Sequence, residues 1–455
     1  MIVLLINPSA IRPAIPPIGL EYVGEATRAR GHVVHTYDFG VRDGASLEDE
    51  VQRIRPDVIG ISVRNIDDAN MFAQTELISP VTDLIGRLRR ATPATIVVGG
   101  VGFSIMPREI LLEVGADFGV IGEGEVTFPL LLDNLSSPEL VPNLIYRPSA
   151  ADPGVVQTCR APQAIDSLPS FRRDLLDYPA YLQAGTVCNI RTASGCNRRC
   201  VFCPEPSALG GHVRFRPLDR IVDELHSLAA RGVRDKLFVA DSELNLSTAH
   251  AFEVAEAFRR HGGGIKWVCY MSPLNVSKEL ITRMKESGCE LIIWGIESAS
   301  DKMLESLQKD FVFDDVLAAD GYCKAVGQPC AYTILFGGPG EDRATIAETY
   351  ENLCRLQPIQ MAVATGIRIY PRTKIHEIAV AEGEVTPEQS LVRPFFYRQR
   401  HVANELYPYI KTLFAGVKNC LLLGPSQSTP FLDKEFQAKL QQADSLDGAF
   451  RDYQA

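Results

Sequence analysis

The sequence has no apolar run close to the roughly 18 residues that a membrane-spanning helix needs, so it predicts no such segment. Its start, MIVLLINP, has no positively charged stretch and predicts a buried strand rather than a signal peptide. Basic residues are in deficit, with 46 Lys and Arg against 56 Asp and Glu and a net charge of −10. This balance argues against a protein that coats nucleic acid or an anionic membrane. We therefore expect a cytoplasmic protein with neither kind of partner.

The chain of 455 residues contains no low-complexity tract or short repeat, and its pattern changes along its length. Over 1–140, apolar strand runs alternate with helical runs, which predicts a parallel α/β sheet of Rossmann-like form. The proline-rich segment that follows predicts a linker over 141–185. A second alternation over 186–385 predicts a partial (β/α)6 TIM barrel. Residues 386–455 lack this alternation, and we expect a mainly helical region that closes the barrel.

Three of the 11 cysteines stand close together, at Cys196, Cys200 and Cys203, in the spacing C-x3-C-x2-C. They directly follow a predicted strand, at the end of a barrel where enzymes carry their chemistry. Iron–sulfur clusters normally take four thiolates, so three would leave one iron open to a cofactor or substrate. A zinc site would need a fourth ligand, and the sequence has no second compact cluster to supply it. Buried structural cysteines are the remaining alternative.

This cysteine spacing resembles the signature of the radical SAM enzymes, and other stretches of the barrel region resemble that family too. The residues GIESA at 295–299 resemble the strand end that reaches the SAM ribose. FGGPGED at 336–342 and YPRT at 370–373 resemble two later turns, the second with Arg where Gly is usual. The resemblance implies a [4Fe–4S] cluster on the three cysteines. It also implies S-adenosylmethionine (SAM) bound by Glu297, Ser298, Gly337 and Pro339, although Glu297 could instead form a salt bridge.

Two further sets of barrel residues carry predictions that the sequence leaves open. Asp241 and Glu243 end the second barrel strand, where the family has an acidic motif near the SAM amino group, but they could equally cap a helix. Tyr270, Tyr332 and Tyr370 lie at or near strand ends. They are candidates to contact substrate or SAM, or to supply a proton, and no spacing rule decides between these roles.

The first domain resembles the cobalamin-binding domains that are fused to radical SAM enzymes. The resemblance rests on the stretches IPPIGLEY at 15–22, RPDVIGIS at 55–62, VVGG at 97–100 and DFGVIGEGE at 117–125. It implies that a corrin lies over the C-terminal edge of the sheet, where glycines allow a close approach. The implied cobalamin contacts are Pro17, Gly99, Gly100, Gly122, Glu123, Gly124 and Glu125.

The loop after the first strand lacks the D-x-H-x-x-G motif that places a histidine beneath cobalt in related domains. His32 and His35 are predicted to be surface or packing residues. Arg64, with Asn65, ends the third predicted strand at the ligand edge and is our candidate for the lower corrin face. A cation at that place cannot ligate cobalt. The alternative is that Arg64 pairs with Asp67 or Asp68. The stretch SVRNID at 62–67 also resembles the tryptophan C2-methylating branch of the family.

Together these features predict an enzyme, a cobalamin-dependent radical SAM methyltransferase. It would move a methyl group from SAM, via methylcobalamin, to an unactivated carbon of a small molecule, and an external donor such as flavodoxin or ferredoxin would supply electrons. The alternatives are a cyclase or rearrangement enzyme without methyl transfer, and a cobalamin carrier or sensor. Aromatic residues near the C-terminus could stack on an aromatic substrate: Phe395, Phe396, Tyr397, Tyr407 and Tyr409.

Overall fold

The computed structural model describes residues 1–11, 14–42, 46–148, 154–162, 165, 168, 170–400 and 403–425. No helix within these ranges combines the length and the apolar character that crossing a bilayer requires. Of the predicted C-terminal region over 386–455, residues 401–402 and 426–455 lie outside the described residues.

The first domain is built on a seven-stranded sheet in the order β2-β1-β3-β4-β5-β6-β7. The strands are β1 (Ile2–Asn7), β2 (Val33–Asp38), β3 (Val58–Ser62), β4 (Thr95–Gly99), β5 (Phe118–Val120), β6 (Leu144–Tyr146) and β7 (Val156–Gln157). The first five are parallel, as predicted, while β6 and β7 pair antiparallel. The segment predicted as a linker over 141–185 therefore contributes two strands to this sheet.

Helices cover both faces of the first sheet, which is why its central strands are apolar throughout. They are α1 (Ile18–Ala29), α2 (Leu47–Ile54), α3 (Ser79–Ala91), α4 (Val101–Ile105), α5 (Pro107–Val114) and α6 (Gly124–Asp133). Strand β1 shows the result, since every residue after Ile2 is buried. A short 3-10 helix at Pro138–Leu140 leads to β6.

The second domain is an open barrel of seven parallel strands in the order β18-β15-β14-β13-β12-β11-β8. The strands of this half are β8 (Cys188–Ile190), β9 (Ala193–Ser194), β10 (Arg214–Phe215), β11 (Lys236–Val239), β12 (Lys266–Met271), β13 (Cys289–Glu297), β14 (Cys330–Phe336), β15 (Gln360–Thr365), β16 (Ile367–Arg368), β17 (Phe396–Tyr397) and β18 (Cys420–Leu422). The pairs β9–β10 and β16–β17 form two small antiparallel ribbons.

Helices form the outer layer of the barrel. They are α7 (Tyr178–Gln183), α8 (Glu205–Leu209), α9 (Leu218–Ala230), α10 (Thr248–His261), α11 (Lys278–Glu286), α12 (Asp301–Ser306), α13 (Phe313–Val326), α14 (Arg343–Leu353), α15 (Lys374–Ala381) and α16 (Leu406–Leu413), with a 3-10 turn at Leu244–Leu246. The described part of the C-terminal region holds α16 but also β17 and β18. The sequence missed these strands because two or three residues are too few to show an alternation.

A buried ionic network joins the first domain to the barrel, and Arg173 lies at its centre. The Arg173 Nε donates to Glu21 Oε2 of α1 at 2.6 Å and to the hydroxyl of Tyr178 at 2.7 Å. Its Nη1 donates to Glu224 of α9 and to the backbone oxygen of Asn189 at 3.0 Å. Arg173, Glu21 and Glu224 have no solvent-accessible side-chain surface. Their mutual pairing therefore replaces the solvation that each charge loses.

Tyr22 of α1 continues this network toward the barrel. Its hydroxyl donates to Glu224 Oε1 at 2.7 Å, and its ring stacks on Phe171 with centroids 4.0 Å apart. Arg216 donates to Glu224 Oε2 and to the Tyr22 hydroxyl. Burial alone would raise the pKa of Glu224, but the charges of Arg216 and Arg173 lower it overall. One carboxylate thus ties a helix of the barrel to the first domain.

Replacing Arg173 with Met should destabilise the protein strongly, because it leaves the buried carboxylates of Glu21 and Glu224 without their partner. We expect a loss of about 3–5 kcal/mol in the free energy of unfolding, measured by urea denaturation followed by circular dichroism. The matched control is Arg30→Met, which breaks the Arg30–Asp133 pair, whose side chains are 45% and 41% exposed. That change should cost no more than about 1 kcal/mol. Equal effects of the two substitutions would contradict this account.

Candidate active site

The three predicted metal-binding cysteines lie on one loop, residues 195–204, between β9 and α8; we refer to it as the cysteine loop. Its first residue, Gly195, has φ +77°, and a Cβ there would lie 2.4 Å from the backbone oxygen of His212. The loop is held from two sides, because Val201 N donates to Leu307 O at 3.1 Å and Val201 O accepts from Ile375 N at 2.9 Å. Its thiols are therefore presented on a fixed backbone.

The donor set of this loop fits an iron–sulfur cluster. Cys196, Cys200 and Cys203 are free thiols, the first buried and the others half-buried. Burial raises the pKa of Cys196 and Cys203 to about 12 and also raises that of Cys200. Metal binding to such thiols displaces their protons, because the thiolate is the ligand. The thiolates of a cluster bind different irons, so they need not converge on one ion. Within the described ranges, no three His, Cys, Asp or Glu side chains are placed to hold a single ion.

The predicted acidic motif supports the cysteine loop. Asp241 is buried, and its Oδ1 accepts from the backbone nitrogens of Thr192 at 2.7 Å and Ala193 at 3.0 Å, which fixes the chain that leads into the loop. Glu243 pairs with Arg198, between the first two cysteines, at 3.0 Å. Both oxygens of Asp241 accept hydrogen bonds from Thr192 and Ala193, so this carboxylate has a structural role, and its predicted contact with the SAM amino group stays a prediction. For Glu243, too, that contact stays a prediction.

The side chains that face the inside of the barrel, its lumen, can be recognised from the alternation of burial along β13 to β15. Outward-facing residues are fully buried under helices, whereas the inward ones remain half-exposed in an open lumen. Tyr270 of β12 faces the lumen and packs edge-on against Phe238 at 5.7 Å. The half-exposed lumen residues of β13 to β15 are Ile293, Gly295, Glu297, Thr333, Leu335, Ala362 and Ala364. They form an apolar pocket with few polar groups.

Glu297 ends β13 in a strained position. Its φ is +65°, and the pairing of β13 with β14 shifts register between Gly295 and Glu297. A residue other than glycine rarely adopts this conformation, and the bulge re-aims its side chain. Burial raises the pKa of Glu297, while Lys309, whose Nζ lies 3.6 Å from Oε1, acts in the opposite direction. The structure thus holds a carboxylate at the mouth of the lumen, close to the cysteine loop.

Two predicted site residues point away from the lumen. The hydroxyl of Tyr332 donates to Asp320 of α13 at 2.9 Å, on the outer side of the barrel. Ser298 bonds the hydroxyl of Thr349 at 3.0 Å and accepts from Ser300 N at 3.2 Å, so it supports the start of α12. The hydroxyl of Tyr332 therefore lies away from a substrate in the lumen, contrary to its predicted role, whereas the predicted contact of Ser298 with SAM stays a prediction. The side chains of a strand alternate between its faces, and the sequence did not reveal which set faced inward.

The turn at 337–341 is built around backbone contacts. Gly337 has φ +104°, and the nitrogens of Gly337 and Gly338 both donate to Glu341 Oε2. Gln399 covers the turn, because its nitrogen donates to Gly337 O at 3.0 Å and its Oε1 accepts from Gly340 N at 2.7 Å. The C-terminal region therefore contacts the barrel mouth here. The predicted contacts of Gly337 and Pro339 with SAM stay predictions.

Arg64 follows β3 at the C-terminal edge of the first sheet. Asp67 pairs with Arg368 of the barrel at 2.7 Å, so it does not neutralise Arg64. Among the described residues, Arg64 has no recorded hydrogen bond or ion pair. It is accessible to solvent, yet the surrounding protein lowers its pKa, as expected for a side chain that lines a cleft. Asn65 is also exposed beside it.

Several glycines of the first domain are needed because a side chain at their positions would clash with neighbouring atoms, which the sequence did not reveal. A Cβ on Gly100 would lie 2.6 Å from Val63 O, and one on Gly102 would lie 2.9 Å from Arg64 O. These positions thus let α4 pack against the loop that carries Arg64. At Gly124, a Cβ would lie 2.8 Å from Val23 of α1, so this glycine serves helix packing. The predicted corrin contacts of Gly99, Gly100, Gly122 and Gly124 stay predictions.

Several of the residues predicted to bind cobalamin lie at the junction with the barrel. Glu123 and Glu125 are buried and pair with Arg214 and Arg191, respectively. The charges of the two arginines act against the rise in the pKa of Glu123 that burial and Glu125 produce. Pro17 precedes α1 and is buried. These carboxylates are thus bound to the barrel, and their contact with a corrin stays a prediction.

Tyr370 and Arg372 connect the two candidate sites. The guanidinium of Arg368 lies 4.8 Å from the ring centre of Tyr370. Burial raises the pKa of Tyr370, and the charges of Asp67 and Cys203 add to this rise. Arg372, at the position where related turns have glycine, has φ +61° and donates to the backbone oxygen of Ile105 in α4. Its long side chain bridges to the first domain.

Comparisons with known proteins agree with this arrangement. The model of the B12 binding domain matches residues 9–132, and that of the radical SAM superfamily matches residues 190–353. The chain therefore belongs to the radical SAM enzymes that carry a B12-binding domain. His32 precedes β2 and His35 lies in its first half, away from the ligand edge, and His32 is a packing residue whose side chain is 9% exposed and whose Nε2 lies 3.3 Å from Asp133.

Among its relatives, the tryptophan 2-C-methyltransferase of Streptomyces laurentii is 28% identical over 437 residues, covering 81% of this chain and 73% of that protein. An uncharacterized methyltransferase of Pyrococcus horikoshii is 26% identical and covers 84% and 83% of the two chains. The fold is similar to that of the radical SAM methyltransferase TsrM from Kitasatospora setae, solved with tryptophan and a SAM analogue. The TM-score is 0.89 at 24% identity, with 99% and 97% of the chains covered.

Two residues of the site were missed by the sequence reasoning. Arg368 was detectable, since a charged residue in the apolar stretch GIRIYP requires a buried partner, which proves to be Asp67. Lys309 gave no such signal, because it follows a polar segment and only the fold buries its side chain, which is 5% exposed.

Glu341 should make stability depend on pH. Burial raises its pKa from the ordinary 4.5 to about 7 in the folded protein. The folded state thus binds a proton more tightly than the unfolded state, which stabilises the folded protein at low pH. This stabilisation is lost as the pH rises from about 4.5 through 7. Relative to Glu341→Gln, the wild-type protein should lose on the order of 3 kcal/mol of unfolding free energy across that range. Parallel pH profiles of the two proteins in urea denaturation would contradict this assignment.

Proposed function

We propose that the chain moves a methyl group from SAM, by way of bound cobalamin, to an unactivated carbon of a small aromatic molecule of the tryptophan type. The observation that carries the proposal is the meeting of the two candidate sites at one barrel mouth. One barrel segment contacts both loops, because Arg368 pairs with Asp67 of the loop that carries Arg64 at 2.7 Å, and Ile375 N donates to Val201 O of the cysteine loop at 2.9 Å. A substrate in the lumen would therefore lie next to both cofactors.

The character of the lumen supports an aromatic substrate. Its half-exposed residues are mostly small or apolar, with Phe238 and Tyr270 forming an aromatic wall. Small-molecule sites are typically apolar with a few placed polar groups, and here the hydroxyls of Tyr270 and Thr333 would orient a ring. The names of the relatives are consistent with this substrate class, since one is a tryptophan 2-C-methyltransferase.

Each cofactor has its own set of residues in this proposal. Cys196, Cys200 and Cys203 would hold the cluster, and Glu297 with the turn at Gly337 would hold SAM. The edge that carries Arg64, Asn65 and Gly100 would receive the corrin. Bound there, the cofactors supply methyl-transfer and electron chemistry that side chains cannot perform, while the protein orients them and excludes water.

Arg64 would face the lower side of the corrin. A guanidinium cannot act as a metal ligand, and its positive charge disfavours any increase of positive charge on the metal. We further propose that the protein works in the reducing cytoplasm, which keeps its thiols reduced, and that an external donor such as flavodoxin or ferredoxin supplies electrons.

The product of the reaction tests this function. The chain, reconstituted anaerobically with iron, sulfide and cobalamin, should convert tryptophan or a related indole in the presence of SAM. Mass spectrometry should show a gain of one CH2 unit, about 14 Da, together with S-adenosylhomocysteine, and Cys196→Ala should abolish both. A product without this gain, formed by the intact chain but not by Cys196→Ala, would contradict methyl transfer and favour cyclisation or rearrangement.

Substitutions of Arg64 test its place beneath the corrin. Arg64→His would offer an imidazole to the metal, so the visible spectrum of the bound corrin should change to that of a nitrogen-ligated form. Arg64→Lys keeps a cation that cannot ligate, and its spectrum should match the wild type. We expect methyl transfer to fall at least about tenfold in Arg64→His, a loss of about 1.4 kcal/mol in transition-state stabilisation. An unchanged spectrum in Arg64→His would place Arg64 elsewhere.

A further inference from the structure

The segment that follows α12, residues 307–310, packs directly against the cysteine loop. Leu307 O accepts from Val201 N at 3.1 Å. Asp310 pairs with Arg198 at 3.6 Å and with Arg199 at 3.9 Å. The contacts of this segment therefore fall on residues on both sides of Cys200.

Lys309 is the buried cation of this segment. Its side chain is only 5% exposed, and its Nζ lies 3.6 Å from Oε1 of Glu297. The ammonium also lies 5.8 Å from the ring centre of Phe202, the residue before Cys203, and 5.7 Å from that of Phe311. Such a buried charge is costly unless anions offset it, so its surroundings must supply them.

Those anions belong to the candidate site itself. Burial acts to lower the pKa of Lys309, but the charges of Glu297, Cys200, Glu243 and Cys203 raise it overall. The nearby Arg198 is already paired with Glu243 and Asp310. Lys309 therefore lies beside the cysteine loop, over the ring of Phe202, and pairs with the carboxylate proposed to bind SAM.

We propose that Lys309 is a positioning residue that offsets the negative charge of the bound cluster and holds the Glu297 carboxylate at the lumen mouth. A cluster on three thiolates becomes more negative when it accepts an electron, and a fixed positive charge nearby favours that reduced state. Nearby charge is one of the factors that set the reduction potential of such clusters. The inference rests on the cluster of the proposed function but not on methyl transfer.

The reduction potential of the cluster tests this role. Full-length wild-type, Lys309→Met and Lys309→Arg chains, reconstituted anaerobically with iron and sulfide, are titrated with dithionite and followed by electron paramagnetic resonance. At the wild-type midpoint, the ratio of reduced to oxidised cluster in Lys309→Met should be about tenfold lower, a shift of about 59 mV for one electron. Lys309→Arg should stay within about twofold of the wild type.

The matched control is Lys302→Met in α12, which removes an exposed lysine paired with Asp342 at 2.8 Å. It should leave the potential unchanged, because that charge lies in solvent and is screened. A second readout is SAM binding by calorimetry, which should weaken in Lys309→Met but not in Lys302→Met if Glu297 depends on Lys309.

The possible results distinguish a failure of the role of Lys309 from a failure of the proposed function. Equal potentials in wild type and Lys309→Met, with equal iron content, would overturn the proposal. Loss of iron from Lys309→Met but not from Lys309→Arg would support a requirement for charge, whereas loss from both would overturn it. Lys309→Gln repeats the measurement if the Met chain fails to fold. A wild-type chain that binds no cluster would contradict the proposed function itself, while an intact cluster with no shift contradicts only the role of Lys309.

Discussion

The pairing of Arg173 with Glu21 and Glu224 is the interaction on which the rest of the structure depends. It joins α1 of the first domain to α9 of the barrel inside a space that water does not reach. Chemistry that passes between two cofactors requires their sites to be held at a fixed separation, because small misplacements of reacting groups cost large factors in rate. The arginines that pair with Glu123 and Glu125 extend the same junction toward the C-terminal edge of the first sheet. A network of this kind favours one relative placement of the two domains, since any other would leave buried charges unpaired.

Around that junction, charged residues mostly support the site, and few of them remain available to a ligand. Asp241 and Glu243 fix the cysteine loop, while Arg368 and Asp67 fix the loop that carries Arg64. What remains accessible at the mouth is a small set: Arg64 without a recorded partner in the described residues, the strained Glu297 and the hydroxyl of Tyr270. This arrangement suits a site in which cofactors carry out the reaction, because the side chains then serve to position the cofactors and the substrate.

The sequence predicted the parallel sheet, the barrel and the cysteine loop because each leaves a local pattern of apolar runs or spacing. It could not predict which side chains of a strand face the lumen of the barrel and which face the helices. Tyr270 faces the lumen and Tyr332 faces the helices, and only the register of the sheet distinguishes them. It also could not show that Asp241 would bind backbone or that Lys309 would be buried, since both depend on segments distant in the chain. Arg372 departs from the related turn for a reason visible only in three dimensions, its contact with Ile105.

The claim that one chain holds a cluster and a corrin at the same mouth is tested most directly by counting both. Anaerobically reconstituted wild-type protein should contain about four irons with matching sulfide and about one tightly bound corrin per chain. Cys196→Ala should lose the iron and keep the corrin, since the two sets of residues lie in different domains. A chain that holds the cluster but no corrin, or corrin but no cluster, would contradict the account.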